Sequence, residues 1–136
     1  MADKQAITEI LGKMGWAFDN NKLDYYDAVY ADDARFTISM AGKGQVAEFE
    51  SKATIMGLYT STKAYQGNDH RRHVISNIFF AEDTPTSATV VSYMTLFLKV
   101  DDAMKLLSTG EYTDKFALIG GRWKIVHRHL MLDTAY

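Results

Sequence analysis

The chain has 136 residues, 47% of them hydrophobic, and a formal charge of −2, which predicts one globular domain over residues 1–136. It has no cysteine, which excludes disulfides, thiolate catalysis and cysteine-ligated zinc or iron–sulfur centres. With 15 Lys and Arg against 17 Asp and Glu it lacks the basic excess that neutralises a phosphate backbone, so no nucleic-acid partner is expected.

The N-terminal stretch carries Asp3, Lys4, Glu9 and Lys13, so it reads neither as a secretory signal nor as a membrane span, and a cytoplasmic location away from membranes is expected. Within residues 3–18, Ala6, Ile7, Ile10, Leu11, Met14, Ala17 and Phe18 recur at three- and four-residue steps, the pattern of an amphipathic helix. Asp19-Asn20-Asn21-Lys22 ends it with residues that favour turns. A short second helix is expected over LDYYDAVY (23–30), then a turn at Asp32-Asp33. ARFTISM (34–40) alternates like a strand. Gly42-Lys43-Gly44 turns the chain into a third helix expected over roughly residues 45–58, and TSTKAYQGND (60–69) reads as a loop. A strand starts near His70, and three more follow at 87–100, 105–119 and 122–132. Their connections are turn-like, ending in the Gly-Gly hairpin signal of IGGR. The order α-α-β-α-β-β-β-β predicts an α+β fold. Strands this long in so small a protein must curl, so the expected form is a cone: a strongly curved mixed or antiparallel sheet covered by three helices.

The stretch DHRRHVISN (69–77) holds two of the four histidines. His70 and His73 are three apart, and on a strand that spacing points them to opposite faces, against a shared metal ion. His127 and His129 do share a face, and with Asp19 they would resemble a facial triad, but no spacing makes the three neighbours, and no metal is expected. Arg71 and Arg72 beside His70 could hold an anion, but a solvated strand start paired with Asp69 or Glu82 is the favoured reading. No phosphate-binding loop motif is present. For acid–base chemistry the candidate is His73, which by alternation shares a face with Ile75 and Asn77; Asp19 sits where an apolar helix face ends. The alternative is a turn residue at 19 and a buried histidine at 73 satisfied by a backbone carbonyl. Aromatic content of 12%, with seven Met, fits either a large core or a cavity for a flat, apolar ligand.

FDNNKLDYYDAVYADDARFTI (18–38), RRHVISNIFF (71–80) and GGRWKIVHRHL (120–130), in that order, resemble the SnoaL-like branch of the nuclear transport factor 2-like superfamily over almost the whole chain. The resemblance implies a cone-shaped fold with a deep pocket. Scytalone dehydratase, hexachlorocyclohexane dehydrochlorinase and bile-acid 7α-dehydratase carry an Asp–His dyad there, and its positions match Asp19 and His73. It thus implies a cofactor-independent lyase or isomerase, dehydratase-, dehydrohalogenase- or cyclase-like, acting on a hydrophobic, cyclic small molecule. His73 is then the base and Asp19 its orienting partner. The chain departs from those enzymes where they place assisting groups: Phe18 and Met14 stand at tyrosine positions, and Leu132-Asp133 where an arginine is expected, with Arg128 earlier. Tyr93, Tyr112, His127 and His129 are the candidate substitutes. By face assignment, Trp16, Phe36, Tyr93, Tyr112, His127, His129 and Met131 are the expected substrate-binding residues. Trp123, Ile125, His127 and His129 fall on one strand face. The family also implies a homodimer or homotrimer through the outer sheet face, and TVVSYMTLFLKV is apolar on both faces. Two alternatives stand beside the enzyme. One is a non-catalytic binding or scaffold module. The other is a structural protein like the small subunits of ring-hydroxylating dioxygenases, which share the fold.

Overall fold

The computed structural model describes residues 1–136. Helix α1 (Lys4–Asp19) starts at Asp3, whose carboxylate accepts from the Ala6 N–H at 3.0 Å. Its stripe of Ile7, Leu11, Met14 and Phe18 is buried. Helix α2 (Leu23–Val29) follows at once and runs straight into β1 (Tyr30–Met40). Asp32 and Asp33 lie inside that strand rather than at a turn, where the register against the neighbouring strand slips between Tyr30 and Arg35.

Residues 44–50 correct the helix expected there. Gly44–Glu50 is strand β2, an edge strand that pairs antiparallel with β1. QVAEFE alternates with period two, and pairing with β1 overrides the helical propensity of its Gln, Ala and Glu. Helix α3 (Lys52–Gln66) starts only after Ser51, whose hydroxyl accepts from the Thr54 N–H. It then continues through TSTKAYQ, expected as a loop, because nothing stops it before Gly67, which takes a positive φ of 60° at the C-cap.

Four long strands complete the chain: β3 (Arg71–Thr84), β4 (Ser87–Val100), β5 (Ala103–Ile119) and β6 (Arg122–Leu132). Gly120 and Gly121 both have positive φ, as the tight β5–β6 hairpin requires. The sheet order is β2-β1-β6-β5-β4-β3, with β1 and β6 parallel and all other pairs antiparallel. The element order is therefore α-α-β-β-α-β-β-β-β, one strand more than the sequence reading. The sheet is mixed and does not close on itself, and with its three helices it makes the expected cone-like α+β fold. One cluster of 23 buried residues joins the two layers. In it Ile7, Leu11 and Ile55 from the helices meet Val90, Met94, Phe116 and Ile125 from the sheet.

Bulges decide which side chains face that interior. In β3 the register slips between Ser76 and Phe79, with Asn77 at φ 54°. In β6 a residue is inserted at Val126, so Ile125 and Arg128, rather than Ile125 and His127, face inward. Each insertion exchanges the two faces for every residue beyond it.

Candidate active site

Asp19 is the last residue of α1, and His73 lies two residues into β3 on its inner face. Gly15, one turn before Asp19, lets the two elements close. A Cβ there would stand 3.3 Å from the His73 carbonyl oxygen and 3.4 Å from the His73 Cβ. The approach drops the Asp19 carboxylate onto His73. Asp19 Oδ1 lies 2.6 Å from His73 Nδ1, and Oδ2 accepts from the His73 backbone N–H at 2.8 Å. Only 4% of the Asp19 side chain and 12% of the His73 side chain are exposed. An ionised carboxylate only accepts, so Nδ1 carries the proton of the neutral imidazole and Nε2 keeps a bare lone pair. The second bond, to the backbone, stops the carboxylate from rotating. Phe18 holds the ring edge-on, with centroids 5.0 Å apart.

His73 forms part of the wall of a cavity of about 100 Å³ that Phe18, Tyr26, Phe36, Tyr59, Tyr112 and Arg128 also line. Wider grooves of about 700 and 520 Å³ lie elsewhere, one between α1 and the β5–β6 hairpin and one on the outer sheet face. Neither contains the dyad, and the chemistry rather than the size singles out the smaller chamber. Within it Arg128 is 3% exposed and clamped by the fully buried Asp114, Nε to Oδ1 at 2.8 Å and Nη2 to Oδ2 at 3.2 Å. Its guanidinium carbon stacks 3.8 Å from the centre of the Tyr112 ring. Burial opposes the charge on Arg128, but Asp114 outweighs it and holds the guanidinium protonated. The Tyr30 and Tyr59 hydroxyls are 2.8 Å apart. Burial pushes the Tyr59 phenol up to about 12 despite the pull of Arg128, so it remains a hydrogen-bond donor near neutral pH. Burial likewise raises Tyr26, Tyr30 and Tyr112.

Of the residues read from sequence, the fold brings Asp19, His73, Phe36 and Tyr112 together. The others lie elsewhere. Trp16 is 53% exposed on the outer side of α1. Tyr93 and Met131 line the groove on the outer sheet face, because β4 places Ser92 and Met94 inward and β6 is shifted by its bulge. His127 and His129 face outward for the same reason and converge on Thr37, whose Oγ1 is 2.9 Å from His127 Nε2 and 2.6 Å from His129 Nδ1. Burial and the nearby Arg35 and Lys115 hold His127 below the usual histidine range. Asp19 is on the other side of the sheet, so the facial triad does not form. Asn77, expected beside His73, is turned out by its own bulge.

Sequence reading missed Tyr59, Tyr30, Asp114 and the inward turn of Arg128. Asp114 carried a usable signal: it alternates with Tyr112 and Phe116, and a carboxylate on an apolar face demands a buried partner.

A SnoaL-like domain model matches residues 1–129. The chain belongs to the SnoaL-like family. No curated protein matches it in sequence. Several solved structures share the fold. One, from Novosphingobium aromaticivorans, is provisionally described as the beta subunit of an aromatic-ring-hydroxylating dioxygenase; it superposes with a TM-score of 0.82 at 19% identity, over 98% of this chain and 90% of that one. ActVI-ORFA from Streptomyces coelicolor gives 0.78 at 17%, over 95% and 96%. Another Novosphingobium aromaticivorans protein, provisionally described as a scytalone dehydratase, gives 0.73 at 19%, over 96% and 83%. At these identities the likeness establishes the SnoaL-like fold alone.

Proposed function

We propose that this SnoaL-like protein is a cofactor-independent lyase or isomerase that moves a proton on a hydrophobic, cyclic small molecule. The 2.6 Å contact between the buried Asp19 carboxylate and His73 Nδ1 carries the reading. It leaves Nε2 as a base on the chamber wall and a fixed negative charge behind it to stabilise the imidazolium. Nε2 takes a proton from a carbon made acidic by a carbonyl. The Tyr59 hydroxyl and the Arg128 guanidinium, on the same chamber, receive the charge that develops on that oxygen or on a departing group. These are the polar groups that the expected tyrosine and arginine positions lack. Elimination follows if a leaving group sits beside the carbanion; isomerisation or ring closure follows if the proton is returned elsewhere.

The experiment is solvent-deuterium incorporation into a panel of small cyclic ketones and β-hydroxyketones, read by NMR in D₂O, with alkene formation read in the same spectra. His73→Ala is expected to slow exchange by on the order of 10²–10⁴-fold while the circular dichroism spectrum is unchanged. Asp19→Asn is expected to slow it strongly as well. Equal exchange in the wild type and both variants excludes the dyad as the catalyst.

A second, structural reading has one observation in its favour: the chamber, at about 100 Å³, is smaller than the roughly 300–1,000 Å³ of most ligand sites. It predicts no exchange on any ketone and no ligand perturbation of His73. Under either reading we propose a homodimer or homotrimer through the outer sheet face, where Val74, Phe79 and Tyr93 are exposed.

A further inference from the structure

Arg71 also stands on the inner face of β3, and neither the dyad nor the chamber wall uses it. It stands two residues before His73 on the same face, so the two Cα atoms are about 7 Å apart at roughly 3.3 Å per residue. Its side chain is only 11% exposed. One guanidinium nitrogen, Nη2, is held by Asp69 Oδ2 at 3.2 Å. The other two, Nε and Nη1, are buried and have no partner in the protein. A buried guanidinium edge without an acceptor is costly, and such groups are normally paired. A second cation stands close by. Lys63 of α3 lies 4.8 Å from the centre of the Phe18 ring, the same ring that packs against His73. Burial lowers the Lys63 ammonium, and Arg71 lowers it further while Asp19 and Asp69 work against both. Asp19 and Asp69 balance the two cations in charge, but their oxygens are committed to His73 and to Nη2, so the free Arg71 edge still lacks an acceptor. It lies next to the chamber rather than in its wall, close enough that Tyr136, which lines the chamber, feels its charge.

We propose that Arg71 is a substrate-recognition residue: its Nε and Nη1 bind a carboxylate on the substrate whose apolar ring occupies the chamber beside His73. The planar two-oxygen group matches a guanidinium edge, and Lys63 adds attraction without fixing orientation. The inference rests on the enzyme reading above and narrows its substrate to an amphipathic acid, with the carboxylate about one two-residue strand step from the reacting carbon.

The test uses an isosteric pair, 3-phenylpropionate and 3-phenylpropanamide, titrated into the full chain at low ionic strength while the His73 ring signals are followed by NMR. The carboxylate is expected to bind about tenfold tighter than the amide in the wild type, and Arg71→Gln to reduce that preference to within about twofold with amide affinity unchanged. Arg71→Lys should keep part of the preference. Asp69→Asn, an exposed change that frees Nη2, should increase it, and this variant decides the matter should Arg71→Gln fail to fold. Equal binding of the two ligands in the wild type, or a preference that survives Arg71→Gln, overturns the role of Arg71 and leaves the chamber a ligand site. If neither ligand moves the His73 signals, the assignment of Arg71 falls, while the enzyme reading stands or falls separately on the deuterium exchange of the ketones.

Discussion

Asp114 and Arg128 show how one residue's cost becomes another's constraint. Both are buried, and each is tolerable only because the other is there in bidentate geometry. Removing the carboxylate alone strands a charged guanidinium under the Tyr112 ring. Asp114→Ala is therefore expected to destabilise the protein by roughly 3–5 kcal/mol in chemical denaturation, whereas the double change Asp114→Leu with Arg128→Met, which removes both charges, is expected to be neutral or stabilising. If the single variant loses less than about 1 kcal/mol, the guanidinium is finding water that the buried geometry denies it. Retention of so demanding a pair where an apolar pair would pack suits a guanidinium that faces developing negative charge in the chamber. The same logic applies to Tyr59. Its raised pKa keeps it protonated, and a protonated phenol is a donor that an alkoxide or enolate can use.

At the scale of elements, the meeting of α1 and β3 builds the dyad, and two glycines on α1 separate helix propensity from packing. Gly12 has open space where a Cβ would go, while Gly15 faces the His73 backbone. Gly12→Ala is expected to stabilise by about 0.5–1 kcal/mol, read as a higher melting temperature. Gly15→Ala has the same intrinsic gain but pushes α1 from β3 by a few tenths of an ångström. Its melting temperature should rise less than that of Gly12→Ala or fall. Equal gains at both sites would mean that the close approach does not exist. Elements also explain how far the sequence could be read. The stripe of α1 and the Gly-Gly hairpin are local patterns, and they were legible; the faces of β4 were not, since TVVSYMTLFLKV is apolar on both. Strand β2 was not, because QVAEFE has residues that suit a helix and only pairing with β1 makes it a strand. The faces of β6 were not, because nothing in WKIVHRHL marks Val126 as an inserted residue, and that insertion sends His127, His129 and Met131 out and Arg128 in. The positions of Asp19 and His73 were legible through family resemblance. Spacing alone left each with an ordinary structural explanation, since 54 residues separate the two in the chain.

At the scale of the molecule, a helical layer with an apolar stripe lies across a curved sheet, and the two leave one small aromatic chamber between them with charge only at chosen points. Asp114 neutralises Arg128, while Asp19 holds the neutral His73 ring and offsets the charge that the ring gains when it takes up a proton. No helix is long and apolar enough to cross a membrane. The outer sheet face exposes Val74, Phe79 and Tyr93, which separates the surface proposed for association from the chamber proposed for chemistry. All of the proposed chemistry depends on which imidazole nitrogen of His73 holds the proton. Long-range ¹⁵N–¹H correlation on uniformly labelled protein reads this directly. The account predicts that His73 near neutral pH has a protonated Nδ1 with a downfield proton signal and a bare Nε2, and that Asp19→Asn removes the downfield signal. A His73 protonated at Nε2, or a spectrum that Asp19→Asn leaves unchanged, would contradict it.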